Sequence, residues 1–173
     1  MDLIVIIPPN EFKDETVSQV CTTLDKWKVN YKISSTSLNT AKGTHGAIIR
    51  PNIRINEISS EDYEGIILLN GLGIEEYKLY DSRVLIDLIK HFNDNQKLVA
   101  GLGNALKIIA RSNIITNKKI CKLTDSETTR YVSLFKGIMT DNQIERDNNL
   151  ITASKSDNAF EFSKLIIESL GLS

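Results

Sequence analysis

The feature that most constrains this chain is its first segment, Asp2–Ile7, an apolar run rich in β-branched residues that ends at Pro8-Pro9. A strand with one solvated face alternates apolar and polar residues, whereas a strand covered on both faces is apolar throughout. Strands covered on both faces belong to parallel sheets, because the crossover connections between parallel strands place helices on the sheet. The first segment therefore predicts an α/β fold.

The rest of the chain alternates predicted strands and helices. The predicted strands are 2–7, 29–35, 65–69, 97–100 and 150–152, with another around Ile120. The predicted helices are 14–28, 84–92, 104–110, 127–135 and 158–170, and residues 43–54 are predicted to form a hairpin-like excursion. The last helix is expected to open with a capping box, Asn158-Ala-Phe-Glu161. This order predicts a three-layer α/β/α sandwich of flavodoxin-like type, with a mostly parallel central sheet in one domain over residues 1–173.

Composition and charge exclude several classes of function. The 173 residues include 21 Lys and Arg against 22 Asp and Glu, which is not the basic excess of a nucleic-acid-binding protein. No apolar run approaches the roughly 18 residues of a membrane span, and no basic stretch precedes an apolar one as in a signal peptide. The two cysteines, Cys21 and Cys121, lack metal-ligand spacing. We therefore expect a cytoplasmic protein without nucleic-acid or membrane partners and without a metal.

Three groups of motifs follow one another along the chain, from residue 2 to about 170. They are Ile6–Val17; Lys42–Gly46 with Glu61-Asp-Tyr-Glu-Gly-Ile-Ile-Leu-Leu-Asn-Gly-Leu-Gly73; and Asp147–Thr152 with Ala159–Phe162. In order and spacing they resemble the ThiJ/PfpI family, which includes the parkinsonism-associated protein deglycase and the PfpI-type intracellular proteases. The resemblance implies a class I glutamine-amidotransferase-like fold, a homodimer or larger homo-oligomer, and a pocket beyond the carboxyl ends of the strands.

The resemblance also implies a cysteine nucleophile on a sharp strand-to-helix turn, and here the sequence departs from the family. The corresponding segment, Leu98–Leu106, places Gly103 at the cysteine position and Asn104 where a histidine often follows. Glycine has no side chain that could act as a nucleophile. In the oxyanion loop that the resemblance implies, Asn70-Gly71 stands where the family has Gly-Gly. Near the end of the chain, Lys155–Asn158 replaces the family's Gly-Pro-Gly-Thr stretch.

The expected ligand pocket consists of Glu15, Asn70, Gly71, Gly103 and Asn104, and no residue is assigned a catalytic role. The resemblance places the Glu15 carboxyl beside the elbow, although an acid in a first helical turn is equally typical of a solvated position. Gly101-Leu-Gly103 matches the dinucleotide fingerprint only in part, because Leu106 stands where a small residue is needed, so no cofactor is expected.

Two functions remain open. The first is a non-catalytic protein that binds a small molecule or a protein partner. A purely structural subunit of a larger assembly is a further non-catalytic interpretation. The alternative is a hydrolase, deglycase or glyoxalase-type enzyme with another nucleophile, for which the candidates are Cys121, Ser154 and Ser156. Neither histidine, His45 or His91, is near these candidates in the sequence, so a nucleophile–histidine dyad is poorly supported. Cys21 and Cys121 are expected to pack in the core.

Overall fold

A seven-stranded sheet forms the centre of the computed structural model, which describes residues 2–172. The strands are β1 Asp2–Ile6, β2 Asn30–Ser35, β3 Ala41–Lys42, β4 Ile48–Ile49, β5 Ile53–Arg54, β6 Gly65–Leu68, β7 Leu98–Leu102, β8 Lys119–Ile120, β9 Ile138–Met139, β10 Ile144–Asp147 and β11 Leu150–Ala153. The α-helices are α1 Asp14–Lys26, α2 Gly73–Glu76, α3 Arg83–Asp94, α4 Leu106–Arg111, α5 Ser126–Leu134 and α6 Ala159–Ser169. Short 3₁₀ turns lie at Ile55–Glu57, Ser60–Asp62, Leu79–Asp81, Gly103–Ala105 and Ser156–Asn158.

The strand order in the main sheet is β10-β11-β7-β6-β1-β2-β5. Every neighbouring pair is parallel except β10 with β11 at one edge. Strand β1 is central, and its Val5 lies between Ile33 of β2 and Ile67 of β6. The predicted α/β fold with a mostly parallel sheet is confirmed.

Two apolar layers cover the two faces of this sheet. Ile4 and Ile6 of β1 belong to the layer that includes Leu85 and Phe92 of α3, together with side chains of α4 and α5. The alternate β1 residues belong to the opposite layer, with side chains of α1 and α6. Because successive strand residues point to opposite faces, the unbroken apolar run serves both layers. Within residues 2–172, none of the helices is long and apolar enough to cross a bilayer.

Several local predictions need correction. Ile120 does form a strand, but β8 pairs with β9 in a separate two-stranded ribbon rather than in the main sheet. Residues 43–54 do not form one hairpin. The hairpin consists of β3 and β4, whereas β5 joins the main sheet beside β2. The capping box at Asn158 is wrong: a 3₁₀ turn precedes α6, and the Asn158 side chain accepts a hydrogen bond from the Lys155 N–H instead.

Candidate functional site

A cleft of about 180 Å³ lies beyond the carboxyl ends of β1, β6, β7 and β11. This is the edge of an open parallel sheet at which ligand sites form. Four of the five predicted pocket residues meet there. Asn70 and Gly71 follow β6, and Gly103 and Asn104 follow β7. The other residues that line the cleft are Lys13, Leu72, Leu123, Thr124, Asp125, Ser154 and Lys155.

Gly103 forms the sharp turn between β7 and the helical segment that leads into α4. Its φ is +60°, in the left-handed region that glycine adopts without steric penalty. A Cβ built at this position would lie 3.1 Å from Cβ and 3.3 Å from Nδ2 of Asn70. Any side chain at residue 103 would therefore require both a strained backbone and a shift of Asn70.

Asn104 holds the backbone of Gly71 with both ends of its carboxamide. Its Oδ1 accepts the Gly71 N–H at 3.1 Å, and its Nδ2 donates to the Gly71 carbonyl at 2.8 Å. Gly71 itself packs against the loop after β1, where a Cβ would overlap the Glu11 carbonyl oxygen and lie 2.8 Å from Cα of Phe12. The loop that contains Gly71 is therefore fixed in place, with the Gly71 N–H directed to Asn104.

Two buried polar atoms on the cleft lining have no hydrogen-bond partner within residues 2–172, namely Asn70 Oδ1 and Ser154 Oγ. The two residues are only 8% and 5% exposed. The other end of the Asn70 amide donates to Ser156 Oγ at 3.1 Å, and Ser156 also accepts from Thr16 Oγ1 at 2.8 Å. An unsatisfied buried polar group costs about 1–3 kcal/mol, and a hydrogen bond to either oxygen would offset that cost.

The structure does not bring Glu15 into the cleft. Its side chain is half exposed, and Oε2 lies 3.6 Å from His45 Nδ1 on the outer side of the β3–β4 hairpin. Lys13 lines the cleft instead, and its N–H donates to the Asn70 carbonyl. Lys13 precedes α1 and has extended backbone, whereas Glu15 lies in the first turn of the helix with its side chain toward the hairpin. Sequence reasoning missed Lys13, whose only signal was its place at the end of the strand-to-helix loop.

Asp14, Glu15 and His45 do form a group whose possible ligand atoms lie within 4.8 Å of one another. The Asp14 carboxylate already accepts the N–H groups of His45 and Ala47, at 2.9 and 2.8 Å. Burial opposes ionisation, but these hydrogen bonds outweigh it and lower the pKa of Asp14. The arrangement accounts for how the hairpin is attached to the start of α1.

The alternative nucleophiles lack the surroundings that activate them. Burial raises the pKa of Cys121 to about 12, so its thiol is not ionised near neutral pH. Ser156 is hydrogen-bonded by two side chains, as described above. His45 and His91 are exposed, and neither lines the cleft, so no imidazole stands beside a lining serine within the described residues. Cys121 is fully buried and Cys21 is partly buried against the core, as expected for packing residues.

A buried lysine lies behind the cleft and was not foreseen. Lys107 Nζ, on α4, is 2.8 Å from Glu75 Oε2 and 3.0 Å from Glu127 Oε2. The same nitrogen lies 3.9 and 4.7 Å from the ring centroids of Tyr80 and Tyr131. These carboxylates come from α2 and α5, so one ammonium connects three helices that each follow a cleft loop. Its only sequence signal was that it is the one charged residue of the predicted helix 104–110.

The mostly parallel sheet, its two helical layers and a cleft at the carboxyl ends of the strands define a three-layer α/β/α protein. Within that class, the model of the DJ-1/PfpI family matches residues 2–169. The chain belongs to the DJ-1/PfpI family, which confirms the family resemblance seen in the sequence.

The chain is similar to known proteins both in sequence and in structure. An uncharacterized protein of Methanocaldococcus jannaschii is 25% identical over 168 residues, which is 97% of this chain and 82% of that protein. The ThiJ/PfpI domain protein from Brachyspira murdochii superposes with a TM-score of 0.92 at 22% identity, covering 98% of this chain and 96% of that one. A two-domain Anabaena variabilis protein, with DJ-1/ThiJ/PfpI-like and ferritin-like domains, gives a TM-score of 0.90 at 15% identity. The alignment covers 98% of this chain and 48% of the Anabaena protein.

Proposed function

We propose that this protein is a non-catalytic member of its family that binds a small polar molecule in the cleft. The observation that carries the proposal is the double hydrogen bond from Asn104 to Gly71, beside a turn residue, Gly103, that has no side chain. Acyl-transfer and related chemistry needs a nucleophile and free donors for the developing oxyanion. At the elbow the nucleophile is missing, and the N–H of the adjacent loop is already bonded.

Binding is supported by the polar lining of the cleft, to which Asn70, Ser154 and Lys155 contribute. A few polar groups of this kind in a cleft fix the orientation of a small ligand. Three of the loops that form the cleft are also bonded to one another, through Lys13 with Asn70 and Asn104 with Gly71. Preorganisation of this kind lowers the entropic cost of binding.

The experiment is a turnover assay with purified protein, in parallel with a cysteine-containing family member, on peptide, glycated and α-oxoaldehyde substrates. We expect the rates with this protein to equal those in buffer alone. The alternative enzyme would be supported, and the proposal rejected, by turnover that is lost in Cys121→Ser, Ser154→Ala or Ser156→Ala. A Ser112→Ala variant, at a buried serine outside the cleft lining, is the matched control.

We also propose a cytoplasmic location and a closed homo-oligomer. Both cysteines are free, as is usual in reducing compartments. Symmetric dimers are the commonest soluble assemblies, and exposed apolar side chains such as Leu134 and Ile138 offer surface for a contact. Sedimentation velocity is expected to show a species larger than the 19.4 kDa chain, and a single species at the chain mass would reject this assembly.

A further inference from the structure

The edge of the sheet opposite the cleft carries a second and larger concavity. This groove has a volume of about 940 Å³ and lies at the amino ends of β6, β7 and β11, where the antiparallel β10 ends. The carboxyl ends of α3 and α6, one helix from each apolar layer, also line it. None of the described residues lines both the groove and the cleft, so the two are separate.

Carboxamide side chains make up much of the groove lining. Asn149 ties parts of it together, because its Nδ2 donates to Asn93 Oδ1 at 3.1 Å and to the Lys97 carbonyl at 2.8 Å. The side-chain amides of Gln96 and Asn148 make no hydrogen bond within the described chain. A carboxamide offers both donors and an acceptor, as a peptide group does, so free amides of this kind can pair with the backbone of an extended peptide.

Acidic and basic side chains lie at opposite ends of the groove. Glu64 stands before β6 and Arg146 lies in β10, and the strand order places β7 and β11 between them, which makes three steps across the sheet. Neighbouring strands are about 4.8 Å apart, so these positions are separated by about 14 Å. Lys97 lies between them, but its ammonium already donates to the carbonyls of Ser60 and Tyr63. Opposite charges at this separation match a ligand with an ammonium at one end and a carboxylate at the other.

The charged groups at both ends are available to such a ligand. Glu64 is exposed and makes no ion pair within the part of the chain that the structure describes. Arg146 uses only Nε, which donates to the Asn148 carbonyl at 3.2 Å, so its two η nitrogens can form the paired hydrogen bonds that a guanidinium makes to a carboxylate. Lys118 lines the same end, and its ammonium lies 3.9 Å from Asp147, too far for a hydrogen bond.

We propose that this groove binds a short extended peptide with free ends, its ammonium toward Glu64 and its carboxylate toward Arg146 and Lys118. An extended chain spans at most about 3.3–3.6 Å per residue, so about four residues cover the distance between the two ends. The amides of Gln96 and Asn148 pair with the peptide groups of the ligand. This site goes beyond the function proposed for the cleft and does not depend on it.

The test is a titration with tetra-alanine, followed by the chemical shifts of the protein's backbone amides, which report affinity and location together. We expect shifts at Gln96 and Asn149 and none at Gly71 and Gly103 of the cleft. N-acetyl-tetra-alanine lacks the ammonium, and tetra-alanine amide lacks the carboxylate. Each should bind about fivefold more weakly than tetra-alanine, as expected of a charge pair that stays partly solvated. Dialanine spans at most about 7 Å and should also bind more weakly.

Variants test the two ends separately. Glu64→Gln should lower the affinity for tetra-alanine to that of the acetylated peptide and leave the acetylated peptide unaffected. Arg146→Met should act in the same way through the peptide amide, and Lys118→Met, which leaves the hydrogen bond of Arg146 intact, should change the affinity in the same direction. Glu61→Gln and Arg50→Met, at exposed residues outside the groove, are the controls and should leave every affinity unchanged.

Equal affinities for tetra-alanine and either blocked derivative would overturn the pairing of that peptide end, and with it the dipolar ligand. Shifts confined to Gly71 and Gly103 would place the peptide in the cleft and overturn the assignment of the groove. Absence of binding at millimolar concentration would overturn the ligand class. None of these outcomes involves turnover, which tests the function proposed for the cleft, so the two ideas fail in different measurements.

Discussion

Lys107 offers a sharp test of how the elements behind the cleft are held. Its side chain is only 2% exposed, whereas the carboxylates of Glu75 and Glu127 that it contacts are 55% and 48% exposed. Loss of the ammonium therefore leaves two acids that water can still solvate. For this reason we expect the buried methylenes and the space that they fill, rather than the charge, to account for most of the stability that Lys107 contributes.

The magnitudes follow from the buried atoms. Lys107→Ala removes three buried methylenes, which contribute about 0.8 kcal/mol each. It also removes two cation–π contacts and leaves a cavity beside the two rings. We expect it to lower the free energy of unfolding by about 3–4 kcal/mol. Lys107→Met keeps the apolar stem and brings a sulfur to the rings of Tyr80 and Tyr131, so its cost should be about 1 kcal/mol.

Urea unfolding with linear extrapolation measures both variants, and the chain should still fold, because domain stabilities are about 5–15 kcal/mol. Arg83→Met, which removes an exposed ion pair with Asp87, is the control and should change stability by less than about 0.5 kcal/mol. Equal costs for Met and Ala would show that charge rather than packing stabilises this position. Costs below about 1 kcal/mol for both would refute the packing argument.

Three other predictions address the turn, the core thiol and pH. Gly103→Ala should cost about 1–2 kcal/mol because of its positive φ and the 3.1 Å approach to Asn70, and an unchanged urea midpoint would contradict the strained turn. In the folded protein, Cys121 should resist iodoacetamide at neutral pH, since burial raises its pKa to about 12; peptide mapping that finds it alkylated under native conditions would show that it is accessible. Hydrogen bonds from Lys107 and Arg130 lower the pKa of Glu127 below its ordinary 4.5, so its stabilising contribution is present above that pH and is lost as pH falls through the lower folded value. Glu127→Gln should reduce this pH dependence of unfolding, and an unchanged profile would reject the coupling.

The sheet was predictable because its central strands carry their own signal. Apart from the exposed Asp2, the strands Asp2–Ile6, Gly65–Leu68 and Leu98–Leu102 are apolar and buried throughout, as expected of strands covered on both faces. β10 was not predicted, since Ile144–Asp147 is an edge strand that is partly exposed and polar. β8 and β9 are two residues each, too short for any periodicity to identify their pairing.

The cleft was predictable as a place but not in its contacts. Gly103 and Asn104 were identified because the family resemblance places the elbow there, after a buried strand, where ligand sites form. The bonds between Asn104 and Gly71 join residues 33 positions apart, and side-chain geometry of this kind has no pattern along the chain. Glu15 was also placed in the pocket by resemblance, whereas its side chain lies beside His45 of the β3–β4 hairpin.

The central claim is that Gly103 occupies the place of a nucleophile at the sharp turn that lines the cleft. The most direct measurement is the pH dependence of iodoacetamide alkylation in Gly103→Cys. The introduced thiol would lie at the start of a helical segment, in the cleft that Lys13 also lines, and a helix start and a nearby ammonium both stabilise a thiolate. The account predicts a thiol pKa below the ordinary value of about 8.5 and alkylation faster than at Cys21. An ordinary or raised thiol pKa would contradict it.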